Sequence, residues 1–543
     1  MFVESTTQED LFKSTAGMME GKRRKVYEDK KAWHNQFREQ VTNKIDETIF
    51  KPLYNAEHGA PNAAIRVSIG MMILKTGQET SDEYLFEEAR FNMLTRSALG
   101  LVNNDDEPPT ESTYYLLRQK IVDYEKENGV NLFDKMFKEL TKEHCLEFDV
   151  KGKSVRMDSK LLGSNIAWIS RYGIVHETVR LFYGVNEAAI REKLEPAEQE
   201  ALKNIYREES SSVTYRSTKE ELDKKFVELG ALMYILVTMF KFMAGQREYH
   251  TMERVFEEQY KIEQAEGEKK TIAVPREKTE ISAKNVQNPS DPDAQYRNKA
   301  GVGVKGYSIN VTETCDKDSL NLIVDVETKG AGAPDNEYVQ PSLEAAAEIV
   351  PDKIEVVHTD GAYHSPENRA ACKENGIDLV TGGVQGKPSK YDLEFDKDDP
   401  AKLKVTNKET GEVIPTEPVK TRNPDGPKKW KAKDGESTRT FTEADVETCQ
   451  TRKEMEELPK ETRNIRNNVE ASIFQLGYHF RGDKSKYRGL EKHEMWALSR
   501  CLWINFRRIA AWVVRMGGVS EAVQSVLAFL RYFFAVRLPD YLR

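Results

Sequence analysis

The sequence predicts an α/β protein, α+β overall, with a mixed sheet at its centre and helical regions before and after it. Two observations predict this. Period-2 apolar runs recur between residues 154 and 380, separated by helix-period stretches, in the order strand, hairpin, helix, strand, helix, strand. The hairpin makes one strand pair antiparallel, so the sheet must be mixed. A chain of 543 residues has room for several structural units at ~100–200 residues each.

Residues 1–150 read as a helical domain, either a scaffold or oligomerisation (dimerisation) bundle or a DNA-binding unit. IRVSIGMMIL (65–74) is an apolar helix, and Thr80, Ser81, Asp82 and Glu83 carry N-cap chemistry for the next one. Pro108, Pro109 and Thr110 open another, bearing Tyr114, Leu116, Leu117 and Ile121. A central domain follows at 151–500. Residues 154–158 alternate as a short strand, and a helical insertion spans about 160–265. The polar stretch 270–300 reads as a loop. Strands are expected at 306–312 and 320–326, a helix at 342–349, a strand at 354–358, a helix near 366–375 and a strand at 377–380. A Lys-, Asp-, Pro- and Gly-rich insertion at about 386–460 reads as β-rich, with pieces at 402–406 and 412–414. Helix resumes from Glu461, with C-terminal helices at 501–543.

Composition narrows the function. The chain is 31% charged, its mean hydropathy is -0.67, and its longest uncharged apolar run falls short of the ~18–20 residues that span a bilayer. No membrane role is expected, and the N-terminus lacks a signal-peptide apolar core. Five scattered cysteines without a C-x-x-C pair suit reduced thiols in the cytoplasm. The net charge of -9 opposes DNA binding in bulk, but basic clusters at 22–31 and 463–543 leave room for a DNA-binding face.

Three acids stand out. Asp158 sits in the first strand, where a buried carboxylate needs a partner, solvent or metal. Asp360 follows the strand 354–358, and ligands bind at the carboxyl ends of strands in α/β sheets. Glu470 lies on a helix, with Arg466 one turn earlier on the same face. Such carboxylates meeting in one pocket would repel, and their oxygen ligands suit two Mg²⁺ or Mn²⁺ ions. A paired-ion site serves in-line phosphoryl displacement. The loop 481–489 offers Lys484, Lys486 and Arg488 to a phosphate backbone, or else to the acids of 392–399. Arg297, Lys299 and Lys305 are further phosphate candidates near Asp291 and Asp293, which read as turn residues.

The blocks VRMDSK, DPDAQYRNKAGVGVKGYSINV, VVHTDGAYHSPENRAACKENGIDLV and RNNVEASIFQLGYHFRGDKSKYRGL resemble, in that order, a bacterial insertion-sequence transposase of the DDE type. The resemblance runs from about Pro61 to Trp503. It implies a ribonuclease-H-like core, Asp158, Asp360 and Glu470 as the catalytic, metal-binding triad, and Arg466 as the arginine of the signature helix. Family members often carry Tyr and Lys where this chain has Arg463 and Gly477; Lys484 and Lys486 could substitute for the lysine. Implied partners are double-stranded DNA, both terminal inverted repeats and target, and a second copy in a homodimer on DNA, with DNA-end binding falling to residues 1–150. The implied activity is metal-dependent cleavage at element ends and transfer of 3′-hydroxyl ends, in the bacterial cytoplasm or on the nucleoid. The alternatives are a catalytically inactive or domesticated DNA-binding protein, and a nuclease without strand transfer.

Overall fold

The computed structural model describes residues 1–516 except 7, 11, 56–57, 265–270, 384–386, 388, 397–401, 420–427, 435–436 and 460–464. Its centre is a six-stranded sheet. Five of its strands are β1 (Ser154–Gly163), β2 (Val302–Thr314), β3 (Ile323–Gly330), β4 (Val356–Thr359) and β5 (Asp378–Thr381). The order across the sheet is β3-β2-β1-β4-β5, with β1, β4 and β5 parallel and the β2–β3 hairpin antiparallel. A short strand, Gln295–Lys299, pairs with the first residues of β2. This is the mixed sheet that the strand order predicts, and it agrees with the ribonuclease-H-like core that the resemblance implies.

Alternation along β1 gives the sheet two different faces. Val155 and Met157 point into an apolar core shared with helices Val339–Ile349 and Pro366–Glu374. Arg156, Asp158, Lys160 and Leu162 lie on the opposite face, beside Glu313, Val311, Ile309 and Tyr307 of β2. Leu162, Ile309 and Val311 there join one continuous core with the N-terminal helices and the C-terminal helix Leu490–Met516. Each large apolar side chain buried in it contributes ~1.5–3 kcal/mol.

N-capping works as the sequence suggests at both predicted helix starts. Ser81 Oγ accepts the Tyr84 amide at 3.1 Å and Thr110 Oγ1 accepts the Thr113 amide at 3.3 Å. Those helices span Asp82–Phe91 and Glu111–Asn128.

Several expectations need correction. The polar stretch 270–300 is not all loop: Thr271–Pro275 pairs with Tyr260–Gln264, and Gln295–Lys299 joins the main sheet. The cause is pairing with distant strands, which local polarity does not reveal. One helix, Leu490–Met516, runs through the position expected to start the C-terminal helices; residues 517–543 lie outside the described part. The helical insertion has its own core, in which Phe182, Met233, Tyr249 and Met252 are fully buried. The later insertion forms two three-stranded sheets around Trp430, closed by helix Glu443–Glu457.

Candidate active site and its basic flank

Asp158 is half-buried in β1, opposite Val311, and its Oδ1 accepts the Ser159 amide at 2.8 Å. The parallel β1–β4 ladder pairs Arg156 with His358. Asp158 and Asp360 each lie two residues beyond that pair, so the register carries both acids to the same level of strands ~4.8 Å apart. Asp360 caps the turn Gly361–Tyr363, its Oδ1 accepting the Ala362 amide at 2.9 Å.

Tyr363 ties this turn to β1 and β2. Its amide donates to the Asp360 carbonyl at 3.1 Å and its hydroxyl to Asn310 Oδ1 at 2.7 Å. Burial raises the phenol far above its ordinary pKa, and the nearby Asp158 charge raises it further.

Glu470 is exposed in the first turn of helix Val469–Gly477, where the helix dipole favours an acid. That helix packs on the Asp158 face of β1. A Cβ on Gly477 would sit 2.1 Å from Lys160 Cε, so glycine is what admits the lysine there. Lys160 then reaches Asp483 at 2.7 Å.

A buried ion network anchors the other end of the helix. Glu313 of β2 is fully buried; Arg156 approaches its Oε1 at 2.6 Å, while Arg508 and Ser472 reach Oε2 at 2.7 and 2.6 Å. Arg156 also donates to the Ile465 carbonyl at 3.1 Å. Burial pushes the Glu313 carboxyl up, but Arg508, Arg156 and Ser472 together outweigh it and hold it below the usual range. Arg500 performs a second clamp, donating to the carbonyls of Thr76, Gly77 and Gln475 and so satisfying the ends of two helices.

The acids are therefore carried by elements locked to each other, yet a closed ligand cluster is not formed. Among the described residues, no three His, Cys, Asp or Glu side chains converge as a metal site. The expected single helical face of Arg466 and Glu470 is also corrected: Arg466 lies in the 3₁₀ turn Ile465–Asn468, and the α-helix starts at Val469. Asn467 and Asn468 compete for backbone hydrogen bonds and favour such a boundary. The Arg466 side chain is outside the described part.

The remaining cations occupy varied settings. Lys484 donates to the Ile166 carbonyl at 3.2 Å, Lys486 meets Glu79 at 3.2 Å, and Arg488 donates through Nε to the Asn165 carbonyl at 2.6 Å. Arg297 forks the Asp335 carboxylate with two bonds of 3.0 Å. Lys305 lies 4.8 Å from the Trp168 ring centre, and Lys299 is exposed. Among the described residues, the acids of the acidic insertion do not take the loop cations; Asp398 and Asp399 of 392–399 lie outside the described part. Asp392 and Glu394 pair with Lys453 instead, at 2.6 and 2.5 Å.

Sequence reading missed Glu313, Arg156, Arg508 and the depth of Asp291. Asp291 is a turn residue, but it is fully buried and accepts from the Tyr307 hydroxyl at 2.5 Å, the Gly489 amide at 3.0 Å and Ser164. It thereby fixes the base of the cationic loop. The available signal was charge inside apolar runs, Glu313 after Val311 and Arg508 after Phe506, which requires buried partners.

Comparison with known proteins agrees with this architecture. Residues 270–506 match the transposase DDE domain, and residues 25–120 match a transposase domain, DUF772. The first match contains Asp360 and Glu470, whereas Asp158 precedes it. No curated protein and no solved structure matches the chain significantly. Members of the DDE group act on DNA and generally depend on divalent metal. With its mixed sheet and these two matched regions, the chain belongs to the insertion-sequence DDE transposases.

Proposed function

We propose that the protein cleaves DNA at the ends of a mobile element and joins the freed 3′-hydroxyls to target DNA, with Asp158, Asp360 and Glu470 as its catalytic carboxylates. The β1–β4 register carries the reading: the two strands pair at Arg156 and His358, and Asp158 and Asp360 each lie two residues further on, where β4 has ended and β1 continues. Packing of the Glu470 helix on the Asp158 face of β1 supports the third member.

The donor set is all carboxylate oxygen, which fits Mg²⁺ or Mn²⁺ better than zinc. When bound, two such ions supply charge neutralisation and an activated oxygen nucleophile for in-line displacement at phosphorus. The residues themselves position. Backbone amides of Ser159 and Ala362 orient Asp158 and Asp360. The Glu313 network fixes where the Glu470 helix meets the sheet. Lys484, Lys486, Arg488 and Arg466 hold phosphates beside the site, and Arg297, Lys299 and Lys305 extend that surface. Residues 1–150 bind element ends or dimerise, the acids belong to a catalytic domain at 151–500, and two copies act together on paired ends, in the bacterial cytoplasm.

The test uses a duplex bearing the terminal inverted repeat read from DNA flanking the gene. Asp360→Asn should reduce Mg²⁺-dependent cleavage to background while changing affinity less than about threefold, since one neutralised acid removes no phosphate contact. Cleavage retained in that variant removes the triad. Cleavage without joining to a target plasmid would favour the nuclease alternative.

A further inference from the structure

Between helix Glu111–Asn128 and the segment 486–495 lies a cleft of about 400 Å³. Arg118, Lys486, Arg488 and Lys492 line it together with Tyr115 and Gln119, and no carboxylate does. In a chain of net charge -9, four cations around one concavity are a local reversal of sign. A concave wall also focuses the field of the charges on it.

The cations are available to a ligand in different degrees. Among the described residues, Arg118 and Lys492 form no ion pair; Arg118 stands 5.6 Å from the Tyr114 ring centre. Arg488 commits only Nε, to the Asn165 carbonyl. Lys486 pairs with Glu79, but its side chain is 69% exposed, so that contact is exchangeable. The walls are preformed. Buried Tyr114 fixes the helix, Asp291 holds Gly489, and the Asn165 amide donates to the Tyr487 carbonyl at 2.9 Å.

We propose that this cleft holds the sugar–phosphate backbone of element-end DNA, gripped by Arg118 on one wall and by Arg488 and Lys492 on the other. The proposal rests on the functional reading above and adds a role for the DUF772 region, whose match at 25–120 includes Arg118. An arginine can fork two phosphate oxygens and a lysine acts as a point charge. The position also predicts a distance. Asn165, on the cleft wall, is seven residues beyond Asp158 along the chain, hence at most ~25 Å from it. Allowing another helix diameter of ~10 Å for the cleft itself, at ~3.4 Å per base pair the phosphates gripped here lie within about ten base pairs of the cut.

The full chain and the terminal-repeat duplex test it. Arg118→Glu and Lys492→Glu should each weaken binding by about tenfold or more near 0.1 M salt. Arg118→Lys should restore most of the affinity, and Lys224→Glu, on the distant insertion, should bind as the unaltered protein does. Arg118→Ala and Lys492→Ala should each lower the log–log salt slope by about one unit. Ethylation of phosphates within about ten base pairs of the cut should interfere with binding. If the unaltered protein binds and cuts but both reversals bind within twofold of it, this proposal falls alone. If the unaltered protein does not bind the duplex, it falls together with the functional reading. Tight, saturable binding of inorganic pyrophosphate that displaces the duplex would mark a small-anion site and overturn it.

Discussion

Glu313 shows how one buried charge organises this site. It sits between Arg156 and Arg508 with no solvent exposure, so Glu313→Ala leaves two cations without their shared partner. Breaking such a pair costs ~3–5 kcal/mol, and that loss should appear as a lower urea midpoint. Its pH dependence follows from the lowered folded pKa. The contribution is present above the unfolded value of ~4.3 and is lost as pH falls through the folded pKa. Glu313→Gln should therefore flatten the acid limb of stability measured below about pH 4.3. Unchanged acid sensitivity in that variant would show that the network carries little of it.

At the scale of elements, two glycines make opposite predictions from equal distances. A Cβ on Gly306 would lie 2.1 Å from the Leu162 carbonyl oxygen and 2.6 Å from the Ser164 amide, both backbone. The β1–β2 ladder holds that backbone, pairing Gly163 with Gly306, and glycine in a strand often marks such close approach. Gly306→Ala should destabilise by ~1–3 kcal/mol or more. On Gly477 the same added atom would lie 2.1 Å from Lys160 Cε, part of a flexible side chain that can move aside. Gly477→Ala should cost under ~1 kcal/mol while displacing Lys160 from Asp483. Thermal unfolding of the pair checks the ranking, and an equal loss in both would contradict it.

Across the whole molecule, the N-terminal helices and the C-terminal helix share one core and one acidic contact. Burial, then Glu125, Asp134 and Glu491, push the Glu494 carboxyl up to about 8. A raised folded pKa means that the folded chain keeps a proton the unfolded chain releases. Stability at this site is therefore full below the unfolded pKa of ~4.3 and falls as pH rises toward 8. Glu494→Gln should raise the Tm by about a few degrees at pH 9 and change it little near pH 4. An equal shift at both pH values would assign the effect to packing.

The sequence by itself determined the strand order, the two predicted helix caps, Asp158 within the first strand and Asp360 just past the end of its own. These are local facts: alternation, cap chemistry and turn residues act within a few positions. The same alternation ends the first strand at 158, whereas β1 runs on to Gly163 because β2 pairs with it that far. The short strands within 260–300 escaped it because their partners decide them. Only the tertiary structure decided that Arg156, Glu313 and Arg508 meet, that Asp291 supports the loop 481–489, and that Lys486 and Arg488 of that loop share a cleft with Arg118. Those pairings join residues far apart in the chain. The identity of a charge is written in the sequence, but its partner is set by which elements the core brings together.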